Sequence, residues 1–140
     1  MVITVSSIKD GAGKSSVVIL LANNLASRGH KVPVIDMDLN NSSTLYYTAG
    51  LKDAETISER QNIMIALIQG RAEENIVKTK KENVFLIPSS LSICDIRAID
   101  FRVLKRTTSN PEYDFVLIDT SPTYDNLVIL SIYADDLVLS

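Results

Sequence analysis

The stretch Ile8-Lys9-Asp10-Gly11-Ala12-Gly13-Lys14-Ser15-Ser16 lies between two segments of contrasting apolar pattern. The β-branched run before it, Val2–Ser6, predicts a short buried strand. After it, apolar residues recur at helical spacing, which predicts a helix from about Lys14 to Arg28. A strand, a loop with glycines and a helix form the setting in which Gly-Lys-Ser binds phosphate. The alternative is a strand-to-helix turn that merely contains glycines.

The chemistry of this loop suits a polyphosphate. Gly11 and Gly13 lack a Cβ, so successive backbone N–H groups can turn inward around an anion, and the positive end of the helix adds to the field. In such loops the lysine reaches the β- and γ-phosphates and the following hydroxyl binds Mg²⁺. We therefore predict that a nucleotide contacts the loop through Lys9, Asp10, Gly11, Ala12, Gly13, Lys14, Ser15 and Ser16.

Length and composition restrict the class of protein. The 140 residues suffice for one packed domain, and we predict a single domain over residues 1–140. No apolar run approaches the roughly 18 residues of a membrane span, so we expect neither a membrane segment nor a signal peptide. The single cysteine, Cys94, excludes an internal disulfide and fits a reducing cytoplasm. With a net charge of −3, nucleic-acid binding would require a local basic patch.

A second strand is predicted over Lys31–Asp38, and its end carries two acids, Asp36 and Asp38. Because α/β sheets bind ligands at the carboxyl ends of their strands, both acids are candidate site residues. The alternative is that one of them caps the helix predicted over residues 40–47. Pro33 favours an edge strand or an early strand position.

The middle of the chain is less distinctive. Residues 49–60 predict a loop or a short irregular helix, residues 62–69 a short packed helix, and residues 84–87 a third strand. A basic run is predicted to be a solvated loop: Lys78, Lys80 and Lys81. A helix after the third strand carries Arg97, Arg102, Lys105 and Arg106. That helix is a candidate contact for DNA or a partner, although a solvated helix exterior explains it equally well.

The clearest buried strand is Asp114–Asp119, in which four apolar residues precede the acid at its tip. A helix over about residues 125–133 and a fifth strand over 136–139 follow. Since each strand is followed by helical sequence, the predicted fold class is α/β, with a parallel β-sheet sandwiched by helices.

Three motifs together resemble the ParA/MinD family of P-loop ATPases. Lys9–Ser15 resembles the family's deviant Walker A loop, Lys-Gly-Gly-x-Gly-Lys-Thr/Ser, with Asp10 in place of a glycine. Asp36–Asn40 is similar to the family's Asp-x-Asp-Pro-Gln and keeps its two aspartates, and Tyr113–Pro122 resembles the second nucleotide motif. The resemblance covers residues 2–140 and is strongest to plasmid or chromosome partition ATPases. Family members continue beyond the position of Ser140, so we expect the N-terminal portion of a P-loop NTPase fold, truncated at its C-terminal side.

The resemblance implies an ATPase that uses ATP and Mg²⁺. By the same resemblance the catalytic residues are Lys9, Lys14 and Asp38. Lys9 would cross to the nucleotide of the partner subunit, and Asp38 would help to position water. The implied magnesium-site residues are Ser15, Asp38 and Asp119.

The implied role is a nucleotide-switched dimer in plasmid or chromosome segregation. Its partners would be a second copy of the chain, nonspecific DNA and a centromere-binding protein, in the cytoplasm and associated with the nucleoid.

Two alternatives stay open. Asp10 would oppose a polyphosphate, and this favours a nucleotide-binding or interaction module with weak or no hydrolysis. A MinD-like ATPase that positions cell division would need a C-terminal amphipathic helix, which this sequence does not show.

Overall fold

The computed structural model describes residues 2–5, 13–38, 41–69, 73–90, 111–120 and 137–139. In chain order its elements are β1 (Val2–Val5), α1 (Gly13–Ser27), β2 (Val32–Met37), α2 (Ser42–Thr48), α3 (Ala54–Arg60), α4 (Ile63–Gln69), a 3₁₀ turn (Glu73–Asn75), β3 (Val77–Lys78), β4 (Val84–Ile87), β5 (Val116–Thr120) and β6 (Leu137–Leu139). The predicted strands and the first helix are therefore present, with ends within two or three residues of those expected.

The strands form one six-stranded sheet in the order β3-β4-β2-β5-β1-β6. All neighbouring pairs are parallel except β3 with β4. The α/β fold class predicted from the sequence is thus confirmed, with one antiparallel strand added at the edge.

The antiparallel strand β3 corrects the prediction for the lysine run. Lys78 belongs to β3, while Lys80 and Lys81 lie in the turn that leads to β4. A connection this short can join only antiparallel strands, because a parallel pair needs a crossover of a dozen or more residues. The Thr79 hydroxyl accepts the Lys81 N–H at 3.1 Å and donates to the Val84 carbonyl at 2.8 Å, which stabilises the turn. Because β3 has only two residues, its sequence shows no alternation of apolar and polar residues from which a strand could be predicted.

Pro33 lies in β2, which has a neighbour on each side, so the edge position that proline favours is not the one observed. Its early position in the strand, as the second residue of β2, agrees with the prediction. Val32 N–H donates to Asn83 on the β4 side, so the ring nitrogen of Pro33 points to the β5 side. Pairing of β2 with β5 begins only at Val34. The missing N–H of Pro33 therefore lies next to the first β2–β5 pair, at the start of the ladder rather than within it.

Helix α1 packs on one face of the sheet. Alternate strand residues on that face, including Ile3, Val34 and Leu117, form a core with Val18 and Ala22 of α1. Residues on the opposite face are equally buried: Ile35, Ile87 and Ile118 are fully inaccessible to solvent. Burial on both faces explains why the strands read as continuous apolar runs rather than as alternating ones.

Residues 49–60 contain the regular helix α3, so the loop interpretation is wrong for 54–60 and the helical one is right. The predicted helix over 62–69 corresponds to α4, Ile63–Gln69. The basic helix with Arg97, Arg102, Lys105 and Arg106, together with Cys94 and the helix predicted over 125–133, lies outside the described residues.

Tyr47 joins α2 to α1. Its side chain is fully buried in the core, and its hydroxyl donates to Asn23 Oδ1 at 2.9 Å, with the Ile19 carbonyl oxygen 3.3 Å away. Its neighbour Tyr46 is 40% exposed and receives the Lys80 ammonium over its ring, 4.2 Å from the centroid. Tyr47 thus holds α2 against α1 by both packing and hydrogen bonding.

We expect Tyr47→Phe to lower the free energy of unfolding by about 1 kcal/mol, because the hydrogen bond to α1 is lost while the packed ring stays. Urea denaturation followed by circular dichroism measures the change. Tyr46→Phe is the matched control. It removes only the longer, exposed hydrogen bond that the Tyr46 hydroxyl accepts from Asn23 Nδ2 at 3.4 Å, so it should have little effect. Equal losses in the two variants would contradict the proposed importance of the buried hydroxyl.

Candidate functional site

The site forms where β2 and β5 end beside the first turn of α1. These two strands are paired in register, with Asp36 opposite Asp119, so their carboxyl ends lie at the same edge of the sheet. Helix α1 begins at Gly13, and Lys14 and Ser15 occupy its first turn. The parallel arrangement therefore brings together residues that are more than a hundred positions apart in the chain.

The Lys14 ammonium group lies between two carboxylates. Its Nζ atom is 2.9 Å from Asp38 Oδ2 and 3.3 Å from Asp119 Oδ1, and it also donates to the Thr120 carbonyl oxygen. Burial alone would lower the pKa of Lys14, but the adjacent Asp38 and Asp119 outweigh it and the pKa is raised. The lysine is therefore charged at neutral pH and neutralises the acids around it.

The Asp119 carboxylate is completely buried, and its two oxygens have different surroundings. Oδ2 accepts hydrogen bonds from the Ser43 hydroxyl at 2.8 Å and the Ser15 hydroxyl at 3.1 Å. Oδ1 has the Lys14 ammonium within ion-pair distance, but within the described part of the chain no donor forms a hydrogen bond to it. A buried carboxylate oxygen with spare acceptor capacity suits a water molecule held by a metal ion.

Asp36 has a different task from Asp38. Its Oδ2 accepts the backbone N–H of Thr44 at 2.9 Å and the Thr44 hydroxyl at 2.6 Å, and its Oδ1 accepts the Asp38 N–H at 3.0 Å. Asn41, at the N-terminal boundary of α2, makes no capping hydrogen bond through its side chain. Asp36 thus caps α2 from the neighbouring strand, and Asp38 faces the lysine. One aspartate, Asp36, therefore caps the helix, and the other, Asp38, belongs to the charged site.

Burial raises the pKa of Asp36 to about 7, and the nearby Asp119 adds to the effect. The hydrogen bonds from Thr44 and Asp38 oppose it without cancelling it. The carboxyl group is removed from water and lies near a second acid, so its charged form is disfavoured despite its three hydrogen-bond donors.

Of the residues predicted from the sequence, Lys14, Ser15, Asp38 and Asp119 meet within hydrogen-bond or ion-pair distance. Gly13 begins α1, and Ser16 is exposed on that helix. Lys9, Asp10, Gly11 and Ala12 lie outside the described residues. The roles assigned to all these residues remain predictions.

Sequence reasoning missed Ser43 and Thr44. Both are buried, and each donates a hydrogen bond to an aspartate of the site. The only local signal was a cluster of hydroxyl side chains at the start of a predicted helix, which commonly indicates capping.

The donor set fits Mg²⁺ held together with a nucleotide rather than a metal held by protein alone. Among the residues that the structure describes, no group of three or more His, Cys, Asp or Glu side chains could hold a metal ion. Magnesium in nucleotide sites typically uses one or two carboxylates or hydroxyls, with phosphates and waters completing the shell. The Ser15 hydroxyl and the Asp119 carboxylate provide such oxygens. In the same described segments, no helix has the length and apolar character needed to cross a bilayer.

A parallel sheet with a Gly-Lys-Ser sequence opening the helix after β1, and acids ending β2 and β5, defines a P-loop α/β protein. The AAA_31 family model, described as an AAA domain, matches residues 1–140. The chain belongs to this family and, within it, to the ParA/MinD group of P-loop ATPases.

Two curated relatives illustrate the similarity. The septum site-determining protein MinD of Buchnera aphidicola (subsp. Schizaphis graminum) is 30% identical over 99% of this chain and 52% of its own length. Protein ParA of Rhizobium radiobacter is 32% identical over 86% of this chain and 49% of its own length. The chain thus spans about half the length of the curated relatives it matches.

Among solved structures, a Borrelia burgdorferi B31 protein described as a plasmid partition protein and bound to AMPPNP superimposes with a TM-score of 0.78. It is 31% identical, and the match covers 98% of this chain and 61% of that one. The resemblance to the ParA/MinD family recognised in the sequence is confirmed.

We expect Lys14→Met to destabilise the nucleotide-free chain by about 3 kcal/mol, because it removes the buried ammonium group that lies between the Asp38 and Asp119 carboxylates. Urea denaturation in the absence of nucleotide measures the effect. Lys31→Met removes an exposed lysine and serves as the control, with a change within about 0.5 kcal/mol. If both variants unfold at the same urea concentration, the buried ion pair contributes nothing to stability.

Asp36 should make stability depend on pH. Its pKa is about 7 in the folded chain against an ordinary value of 3.8, so the unfolded chain loses this proton first as the pH rises. The free energy of unfolding should therefore fall between about pH 4 and pH 7, by at most about 4 kcal/mol, and level off above pH 7. Chemical denaturation across this range, with Asp36→Asn as reference, isolates the contribution. A difference between the two chains that does not vary with pH would contradict it.

Proposed function

We propose that this chain is the nucleotide-binding portion of a partition-type ATPase that binds ATP with Mg²⁺ and hydrolyses it slowly. The observation that carries the proposal is the meeting of Lys14, Ser15, Asp38 and Asp119 at the first turn of α1. The Borrelia relative described as a partition protein binds AMPPNP, which supports a nucleotide as the ligand.

The roles follow from the charges and hydrogen bonds of the site. Lys14, now paired with two carboxylates, would turn to the β- and γ-phosphates, where its positive charge opposes the negative charge of the transferring group. Once Lys14 has moved, the Asp38 carboxylate would accept a hydrogen bond from the attacking water. The Ser15 hydroxyl and the Asp119 carboxylate would hold Mg²⁺ and a water bound to it. Bound magnesium would supply neutralisation of charge on the phosphate oxygens.

The switch would operate between two copies of the chain. Lys9 of one copy would stabilise charge on the phosphates of the other, so hydrolysis would depend on dimer formation. Segregation of a plasmid or chromosome would use this cycle to bind and release nonspecific DNA, with a centromere-binding protein as the stimulating partner. Such a cycle would take place in the cytoplasm, at the nucleoid.

Asp10 favours a second candidate, a nucleotide-binding or interaction module with little hydrolysis. Its carboxylate replaces a glycine of the family's loop and would repel a polyphosphate. The similarity to MinD of Buchnera also supports a role in positioning cell division.

Because the ATPase and the module with little hydrolysis differ in how the loop binds a polyphosphate, the first experiment compares variants at Asp10 and Lys14.

The test is equilibrium binding of a fluorescent ATP analogue with Mg²⁺. We expect the wild-type chain to bind it and Lys14→Ala to lose at least about tenfold in affinity, since the lysine supplies a direct charge on the phosphates. Lys31→Ala is the control for removal of a lysine and should bind as the wild type does. Phosphate release at increasing protein concentration, with and without DNA, then tests hydrolysis and its dependence on dimers.

Three outcomes decide between the candidates. Binding abolished by Lys14→Ala, followed by hydrolysis that rises with protein concentration and DNA, supports the ATPase. Binding that appears only in Asp10→Gly supports the module with a degenerate loop. A folded wild-type chain and a folded Asp10→Gly variant that both fail to bind would contradict nucleotide binding by this chain.

A further inference from the structure

Ser43 connects α2 to the buried acid of the site. It lies in the first turn of α2, is fully inaccessible to solvent, and donates its hydroxyl proton to Asp119 Oδ2 at 2.8 Å. This bond is shorter than the one from Ser15 to the same oxygen, which is 3.1 Å. Ser43 is separated from Asp119 by 76 residues, and none of the three recognised motifs contains it.

In the proposed nucleotide site, the hydrogen bond from Ser43 would fix the orientation of the Asp119 carboxylate. The Ser15 hydroxyl would hold Mg²⁺ through its oxygen, whereas the Ser43 hydroxyl donates to Asp119 Oδ2. Ser43 then provides the shorter of the two observed bonds to Oδ2 and restrains rotation of the carboxylate. The restraint keeps Oδ1, the oxygen without a hydrogen-bond donor among the described residues, on the side of the Lys14 ammonium.

The same turn of α2 is tied to Asp38. Thr44 donates twice to Asp36 Oδ2, and Asp36 Oδ1 accepts the Asp38 N–H. The Thr44 hydroxyl oxygen also accepts the Ser89 N–H at 2.9 Å, which anchors α2 to the segment after β4. Hydrogen bonds through Asp36 and Thr44 therefore connect the backbone of Asp38 to the helix that carries Ser43.

We propose that Ser43 is a positioning residue of the nucleotide site. Its hydroxyl orients the Asp119 carboxylate for the water bound to magnesium and couples that carboxylate to the Asp38 segment through α2. The inference rests on the proposed function, since it concerns how that site holds Mg²⁺. Hydrogen-bond partners of metal-site residues commonly change metal affinity by about 10–100-fold when removed.

The competing explanation is structural. A buried carboxylate needs donors, and Ser43 would then stabilise the fold whether or not a nucleotide is present. The two explanations differ in one quantity, the gain in nucleotide affinity caused by Mg²⁺. A positioning role predicts that Ser43→Ala reduces this gain, whereas a structural role predicts a change in stability alone.

The experiment measures the dissociation constant of the fluorescent ATP analogue in EDTA and in Mg²⁺, using the whole 140-residue chain. Ser42→Ala, at the exposed neighbour of Ser43, is the matched control, and Asp119→Asn gives the value when the carboxylate charge is lost. We expect Ser43→Ala to leave the constant in EDTA unchanged and to reduce the gain from Mg²⁺ about tenfold, toward that of Asp119→Asn. Ser42→Ala should keep the full gain.

A second variant keeps the test decisive if Ser43→Ala does not fold by circular dichroism. Ser43→Cys retains a small side chain but replaces the hydroxyl with a weak donor, so it should show a partial loss of the gain. A full gain from Mg²⁺ in a folded Ser43 variant overturns the inference and leaves the proposed function intact. A wild-type chain that gains nothing from Mg²⁺ overturns the proposed function, and this inference with it.

Discussion

The ion pair between the Lys14 ammonium and the carboxylates of Asp38 and Asp119 is the interaction on which the site depends. Its side chains are nearly buried, with 7% of the lysine side chain exposed and none of Asp119. Charges removed from water in this way are costly unless they are paired and hydrogen-bonded. The pairing therefore requires the first turn of α1 and the ends of β2 and β5 to stay at a fixed distance. If a ligand draws Lys14 away, another positive charge must take its place beside the two carboxylates.

A second network supports the first without containing a positive charge. Asp36 binds the first turn of α2 through Thr44, and the Thr44 hydroxyl oxygen accepts a hydrogen bond from the Ser89 N–H. These bonds place α2 against the carboxyl ends of β2 and β4, where Ser43 reaches Asp119. The acid with the raised pKa, Asp36, thus holds α2 in place, whereas Asp38 and Asp119 pair with the Lys14 ammonium. Two aspartates of the same sequence motif thus have different partners: Thr44 of α2 for Asp36 and Lys14 of α1 for Asp38.

Membership of the ParA/MinD group gives this arrangement a chemical interpretation. P-loop NTPases combine a lysine and a hydroxyl at a helix N-terminus with an acid on a neighbouring strand. Lys14, Ser15 and Asp119 form this combination here. The described residues contribute the lysine, the serine and both acids. Lys9 and Asp10 lie outside the described residues, and Asp10 is the residue that favours the module with little hydrolysis over the proposed ATPase. The family assignment rests on the whole chain, since the family model matches residues 1–140.

Much of the architecture could be predicted from local patterns. β-branched runs identified β1, β2, β4 and β5, helical spacing identified α1, and Gly-Lys-Ser together with terminal acids identified the candidate site. These features are local because burial on both faces of a parallel strand leaves a continuous apolar run, and a phosphate loop needs glycines at fixed spacing. The two-residue strand β3 gave no such pattern, and its pairing depends on the turn between Thr79 and Val84.

Other features were decided by the tertiary structure alone. Either aspartate of the second motif could have capped α2, and only the positions of β2 and α2 show that Asp36 does so. Ser43 gains its contact with Asp119 because strands distant in the chain are placed in parallel register beside one helix terminus. Local sequence determines which segments become strands and helices, since propensity and apolar spacing act over a few residues. The partners of a buried charge depend on distances between segments, which exist only once the sheet has formed.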